Sequence, residues 1–275
     1  MMHCGKYRLS LDRPLVIGNV NVTPDSFSDG GRYFSVERAV EHGLRLVEEG
    51  ADILDVGGES TRPGAEEVAV GEELERVLPV LDGLRRGGVP LSVDTMKPAV
   101  MAEALAAGAA MVNDVRALRE PGALQAVAAS GAAVCLMHMQ GAPRTMQQAP
   151  RYDDVVAEVK GFLLGRVRAA LEAGIVRERL VIDPGFGFGK TLGHNLELLR
   201  RLGEFADLKL PLLAGLSRKS MIGALTGAAV EERVYGSVAA AMLAVQKGAR
   251  IVRVHDVKAT RDALAVLEAV EGEEQ

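Results

Sequence analysis

The chain has 275 residues, 48% of them apolar and 25% charged, with a formal charge of -5. That make-up excludes a disordered or fibrous chain, and the acidic balance excludes a nucleic-acid binder resting on a general basic surface; any anion site has to be local. Scarce residues are informative here: there is no Trp, Phe occurs six times and Tyr four, and four Asn (Asn19, Asn21, Asn113, Asn195) and eight Lys stand beside twenty-four Arg. The core is therefore expected to be Val, Leu, Ile and Ala, in a chain long enough to bury roughly three-quarters of its unfolded surface. Of the two cysteines, Cys4 falls in an N-terminal flank and Cys135 in an apolar run, which gives neither a disulfide framework nor paired metal ligands. A reducing cytoplasm is the expected location. The start Met-Met-His-Cys-Gly-Lys has no apolar export stretch, and no segment sustains the roughly 18 uncharged apolar residues of a membrane span.

In chain order, β-prone apolar runs bounded by turn residues fall at Leu15 to Val20, Ile53 to Val56, Leu91 to Val93, Met111 to Val112, Ala133 to Met137, Leu180 to Ile182, Leu212 to Leu216 and Ile251 to Val254. Stretches of helical periodicity lie between them, for example Val36 to Glu49, Leu74 to Leu84, Ala99 to Ala106, Val155 to Ala173 and Val234 to Gln246. Apolar runs buried on both faces and separated by helices read as parallel strands with right-handed crossovers. Eight such units in about 250 residues match an α/β fold of one domain, a (β/α)8 TIM barrel over residues 1–275. The shortness of the fourth run leaves an open doubly wound sheet as the alternative.

Active sites of such barrels are built at the C-terminal ends of the strands. Those ends carry, in order, Asn19 and Asn21; Asp55 with Glu59 and Thr61; Asp94; Asn113 with Asp114; His138; Asp183; Ser217 with Lys219; and Arg253 with His255. Helix capping accounts for any one of them, and Asp114 in particular, but not for all eight strands together. A ligand site is the better joint explanation. His138, in Leu-Met-His-Met-Gln-Gly, is expected to be a packed histidine rather than a catalyst.

Three loops carry more than capping chemistry. Asn19-Val-Asn-Val-Thr-Pro-Asp-Ser-Phe-Ser-Asp-Gly-Gly31 is longer than a plain βα connection and holds Phe27 among turn formers, as a mobile functional loop would. Within it the side-chain oxygen of Asn21 is a hard neutral ligand suited to Mg²⁺, which takes most of its ligands from water and substrate phosphate. Asp183-Pro-Gly-Phe-Gly-Phe-Gly-Lys-Thr191 lacks P-loop spacing, because only three residues separate Gly185 from Gly189. It offers instead an Asp fixed by Pro184, with Phe186 and Phe188 held out on a flexible backbone, Phe188 at least against a flat ligand. Ser217-Arg-Lys-Ser220 and Arg253-Val-His255 place cations where such barrels bind phosphate, and Arg253 and His255, two apart on a strand, share a face. An inward guanidinium at Arg253 without an anion would be costly. Arg218 suits a surface salt bridge as well as a ligand.

Asn-Val-Thr-Pro-Asp-Ser-Phe-Ser-Asp-Gly-Gly, Gly-Gly-Glu-Ser-Thr-Arg-Pro-Gly (57–64), Asp-Pro-Gly-Phe-Gly-Phe-Gly-Lys, Ser-Arg-Lys and Arg-Val-His-Asp, in that order along the chain, resemble the dihydropteroate synthase family. The resemblance implies a homodimeric barrel enzyme of folate synthesis, with no nucleic-acid or membrane partner. Such an enzyme joins 4-aminobenzoate to 6-hydroxymethyl-7,8-dihydropterin diphosphate with Mg²⁺ present. By that likeness Asp94, Asn113, Asp183 and Lys219 bind the pterin, Thr61, Arg253 and His255 the diphosphate, and Asn21 the metal. Phe188, Ser217 and Arg62 face 4-aminobenzoate, and Asp25, Asp183 and Lys219 serve the chemistry. Two alternatives stand beside it: a methyltetrahydrofolate methyltransferase of the related barrels, which needs no diphosphate site, and a non-catalytic pterin-binding homologue.

Overall fold

The computed structural model describes residues 1–22, 31–60 and 64–271. Eight parallel strands form one sheet: β3 (Leu15–Asn21), β4 (Ile53–Gly57), β5 (Leu91–Asp94), β6 (Met111–Asp114), β7 (Ala133–Met137), β8 (Leu180–Asp183), β9 (Leu213–Ala214) and β10 (Ile251–Val254). They are preceded by an antiparallel pair, β1 (Met2–Cys4) and β2 (Tyr7–Leu9). Neighbours along the barrel are consecutive in sequence, β10 pairs with β3, and a parallel bridge from Ile182 to Leu212 links β8 to β9, so the sheet closes on itself. The expected (β/α)8 barrel is what forms, and the open-sheet alternative is excluded. The fourth expected strand extends to Asp114, whereas the seventh shrinks to Leu213–Ala214, preceded by Pro211, which lacks an N–H to donate.

The α-helices wrap the outside: α1 (Gly31–Glu48), α2 (Val70–Leu84), α3 (Pro98–Ala106), α4 (Ala123–Ala128), α5 (Val155–Glu172), α6 (Leu192–Arg200), α7 (Ser220–Thr226), α8 (Val234–Gln246) and α9 (Val257–Glu271). α2 shows how periodicity drives this layer, since Glu73, Val77, Val80, Leu81 and Leu84 recur on one face and are buried. Asp154 caps α5 by accepting from the N–H groups of Val156 at 2.9 Å and Ala157 at 3.0 Å. The helix following the first long loop starts at Gly31, five residues before the expected Val36.

Strand parity divides the interior. Val16, Val20, Leu54, Val56, Val93, Val112, Val134, Leu136, Ile182 and Val252 point outward into the core shared with the helices. The opposite parity points into the barrel, and its lower half is apolar: Leu15, Ile17, Ile53, Met111, Ala133, Cys135, Val181, Leu213 and Ile251 pack together. Two residues further up the same strands the inward positions turn polar, at Asn19, Asp55, Asn113, Asp183 and Arg253. The barrel is thus filled with hydrocarbon at one end and with hydrogen-bonding groups at the other.

Cys4 is not in a loose flank. β1 lies across the lower mouth, Met2 and Cys4 are fully buried in the inner apolar cluster, and the Cys4 thiol donates to the Ala110 carbonyl at 3.3 Å. Three-residue strands carry too little pattern to be seen in sequence, but their burial covers an end that would otherwise expose apolar side chains to water. Both cysteines are free; burial pushes the Cys4 thiol up to about 12 and that of Cys135 well above its ordinary value, so neither is a poised nucleophile.

Candidate active site

The upper mouth is organised around Arg253. Its Nε donates to Asp55 Oδ2 at 2.6 Å, and its Nη2 donates to Asn19 Oδ1 at 2.7 Å and to Asp94 Oδ2 at 2.8 Å. The expectation that an inward guanidinium needs an anion is met by the protein's own carboxylates. Burial works against the Arg253 charge, yet Asp55 and Asp94 outweigh it and hold the group above its ordinary pKa. Register makes this possible: Asn19 pairs with Asp55 across β3 and β4, while Asp94 pairs with Asn113 across β5 and β6. Asp94 is pushed up to about 7 by burial, against the pull of Arg253. Asn113 Nδ2 donates to Asp55 Oδ2 at 3.1 Å, and Asn113 Oδ1 and Asp55 Oδ1 have no partner among the described residues although both are buried. An orphaned amide oxygen beside an orphaned carboxylate oxygen is an acceptor set awaiting N–H donors.

Across the mouth, Asp183 ends β8 and its Oδ1 accepts from the Gly185 N–H at 2.7 Å. Burial raises its pKa, with the Lys219 charge opposing. Lys219 stands at the start of α7, donates to the Phe186 carbonyl and lies 4.8 Å over the Phe188 ring. Burial lowers its pKa to about 8, with Asp183 opposing. Asp183, Lys219, Asp94 and Asn113 are therefore gathered at one end of the barrel, as the sequence motifs imply. Phe188 packs against a cluster of Met96, Val115, Met137, Met139 and Met146, a flat apolar wall beside the charges.

The glycine-rich segment is not a flexible support for two exposed rings. Phe186 is fully buried in the core, so only Phe188 faces the mouth. Lys190, itself 2% exposed, reaches back and donates to the carbonyls of Gly185 at 2.9 Å and Phe188 at 3.0 Å and to His138 Nδ1 at 2.9 Å. Gly185 adopts φ +70°, and a side chain there would collide with the His138 carbonyl. Sequence reasoning missed this role of Lys190; the Gly-Lys ending invites a phosphate interpretation, and nothing in one dimension says that the ammonium turns inward. His138 is the packed histidine expected, set edge-on to Phe162 at 4.9 Å, its pKa lowered to about 3 by burial and then by Lys190.

His255 and Ser217 share a hydrogen bond, Nδ1 to Oγ at 3.0 Å, and His255 Nε2 lies 3.1 Å from Asn19 Nδ2. Arg218 forms a two-pronged pair with Asp256 at 2.5 and 3.0 Å, which settles it as a salt-bridge residue. Asp114 accepts from the N–H groups of Arg116 at 2.8 Å and Leu118 at 2.7 Å, the capping role expected of it. Glu59 is spent on Lys97, which also binds Glu73 at 2.6 Å. Asn21 sits beside Asp94 across Gly57, where a side chain would lie 3.5 Å from the Asp94 Cβ and 3.9 Å from the Asn21 oxygen. Asp25, Phe27, Thr61 and Arg62 lie outside the described residues.

A parallel barrel whose upper mouth sets two carboxylates, an amide and a lysine around a methionine and phenylalanine wall is built for a flat, nitrogen-rich ring. The family profile of the pterin binding enzymes matches residues 17–255, and the chain belongs to that family. Within it the similarity is to dihydropteroate synthases. The chain is 55% identical over 262 residues to the Escherichia coli (strain K12) enzyme, covering 95% of this chain and 93% of that one, and 52% identical to the Haemophilus influenzae enzyme, covering 95% of each. Among solved structures, Xanthomonas albilineans dihydropteroate synthase with 4-aminobenzoic acid superposes with a TM-score of 0.92 at 60% identity, covering 97% of this chain and 96% of that one. The same enzyme in complex with 7,8-dihydropteroate superposes with a TM-score of 0.86, with the same coverage.

Proposed function

We propose that the chain condenses 6-hydroxymethyl-7,8-dihydropterin diphosphate with 4-aminobenzoate, forming 7,8-dihydropteroate and pyrophosphate. The observation that carries this is the gathering of Asp183, Lys219, Asp94 and Asn113 around one mouth, each group held away from its comfortable state. A pterin's aminopyrimidine edge presents two parallel N–H donors, which Asp183 accepts as a pair, while Lys219 donates to ring acceptors. Asp94 and the free Asn113 oxygen take the opposite edge. The Phe188 and methionine wall covers the ring face.

The step breaks the bond between the pterin methylene carbon and the diphosphate oxygen, with the electron pair leaving on the diphosphate. The arylamine nitrogen then forms the new carbon–nitrogen bond and gives its proton to water. An arylamine is already neutral at pH 7, so no strong general base is needed. The cation that develops on the methylene is supported by the reduced ring, and the mouth carboxylates, with Asp25 in the first long loop, favour that charge electrostatically. Arg253, together with Thr61, holds the diphosphate as its negative charge grows.

Asn21 fits Mg²⁺: it brings one neutral oxygen to the mouth, and the described residues contain no group of three or more His, Cys, Asp or Glu able to cage a metal alone. When bound with the diphosphate, the ion supplies charge neutralisation to the leaving group. Homodimer formation is supported by exposed apolar residues on the adjacent helices α7 to α9, Leu225, Tyr235, Leu243, Val266 and Val270. A cytoplasmic setting is supported by the two free, unreactive thiols; among the described residues no helix is long and apolar enough to cross a membrane. Mixing the protein with pterin diphosphate, 4-aminobenzoate and Mg²⁺ is expected to yield dihydropteroate. Tight pterin binding without any product would instead mark a binding protein.

A further inference from the structure

We infer that Asn19 is a positioning residue that fixes which nitrogen of His255 carries the proton and thereby makes the Ser217 hydroxyl an obligate donor into the mouth. The inference deepens the function proposed above, since it assigns Ser217 its polarity toward the carboxylate of 4-aminobenzoate.

One group in this relay has only one possible role. A guanidinium donates and never accepts, so the Asn19 atom 2.7 Å from Arg253 Nη2 is its carbonyl oxygen. The amide nitrogen of Asn19 must then be the atom facing His255 Nε2 at 3.1 Å. An amide NH₂ only donates, so Nε2 is unprotonated and accepts. The imidazole proton therefore sits on Nδ1, which donates to Ser217 Oγ at 3.0 Å. The same oxygen accepts the His255 backbone N–H at 3.2 Å. With both acceptor positions filled, the hydroxyl hydrogen of Ser217 is left as the group's only means of binding anything further, and a carboxylate is the partner it suits.

Each link is held rather than incidental. Asn19 is 4% exposed and Ser217 7% exposed, so water does not readily replace either partner. Arg253 is itself fixed at Nε by Asp55, which is 1% exposed. A relay of Arg253, Asn19, His255 and Ser217 thus joins the strand-end cations to the part of the mouth expected to hold the second substrate. Asn19→Ala removes the donor that keeps Nε2 unprotonated, and a proton moved to Nε2 would let Nδ1 take the hydroxyl hydrogen of Ser217 away from the mouth.

The first test is spectroscopic and needs no turnover. Long-range ¹H–¹⁵N correlation of ¹⁵N-labelled protein separates the two imidazole tautomers, and His255→Gln identifies the signal among five histidines. The Nδ1–H form is expected in the native protein and a shift toward Nε2–H in Asn19→Ala; the Nε2–H form in the native protein overturns the inference. The second test is a cycle of Asn19→Ala and Ser217→Ala read as the KM for 4-aminobenzoate. Each single change is expected to raise it about tenfold, the loss of one hydrogen bond to a charged group, and the double variant to be no worse than either. Independent, multiplying effects overturn the inference. Failure to make dihydropteroate at all refutes the proposed reaction while leaving the spectroscopic test standing.

Discussion

Asp183→Asn isolates the contact on which pterin recognition rests. The carboxylate accepts two parallel N–H groups in the proposed complex; the amide keeps one accepting oxygen and turns an NH₂ toward the second donor. One charge-assisted bond is lost, the other weakens to a neutral one, and two donors are set against each other. At about 1.5 to 3 kcal/mol for a hydrogen bond to a charged group, the loss is about 3 to 4 kcal/mol. That corresponds to roughly a 150- to 1,000-fold fall in kcat/KM for the pterin diphosphate. Stability should move the other way or not at all. The Asp183 pKa is raised in the fold, so the native state favours the protonated form and loses stability as pH rises through that range; at pH 7 the ionised group is held at a cost. The Gly185 N–H keeps an acceptor in the variant, preserving the turn. Steady-state kinetics with both substrates varied, calorimetric pterin binding and thermal unfolding decide the matter. Near-normal kcat/KM, or a collapse of the melting temperature alongside lost activity, would refute a recognition role.

Lys190→Met should leave the Gly185 and Phe188 carbonyls and His138 without their shared donor, at about 3 kcal/mol of stability, and should raise the KM for the pterin substrate through the displaced Phe188; thermal melts with kinetics check both. The pH profile of kcat/KM should be bell-shaped, since Asp94 gains a proton below about 7 and Lys219 loses one above about 8. Asp94→Asn should remove the acid limb at reduced activity, and an unchanged acid limb would assign it elsewhere. Met2→Ala, at the opposite end of the barrel from the chemistry, should cost about 2 to 4 kcal/mol by opening a cavity while leaving kcat unaltered, as unfolding curves and turnover measured together will show.

What could be read without coordinates follows from what each signal depends on. Strand parity is a local property, so the apolar lower and polar upper halves of the barrel, Leu15 and Ile17 below Asn19 or Ile53 below Asp55, are written into each run and were legible. The long motifs around Asp183, Lys219 and Arg253 were legible for the same reason. Pairwise commitments were not, because they depend on register and side-chain reach between distant segments. Arg253 and Asp55 are 198 positions apart, and nothing nearby in sequence says that they meet. Lys190 was hidden differently: its ammonium replaces water for carbonyls of its own loop, a role set by how tightly the glycines fold. Phe186 and Phe188 occupy alternate positions in one motif, yet the turn sends one into the core and the other toward the mouth.

The charges of the upper mouth argue that this half of the barrel was not shaped for stability. Buried ion pairs rarely repay their desolvation, and a barrel wanting only to stay folded would continue upward the aliphatic filling of its lower half. Here Asp94 and Asp183 are pushed toward their neutral forms, as are Lys190 and Lys219, all four chiefly by burial. Each of these groups is worse off than it would be in water. A ligand presenting donors on one edge and acceptors on another relieves Asp183, Asp94 and Lys219 together, whereas a simple anion relieves only the lysine and an apolar molecule none of them. The burial cost carried by these side chains therefore selects by pattern rather than by net charge, which lets a protein of charge -5 take the anionic substrate proposed for it.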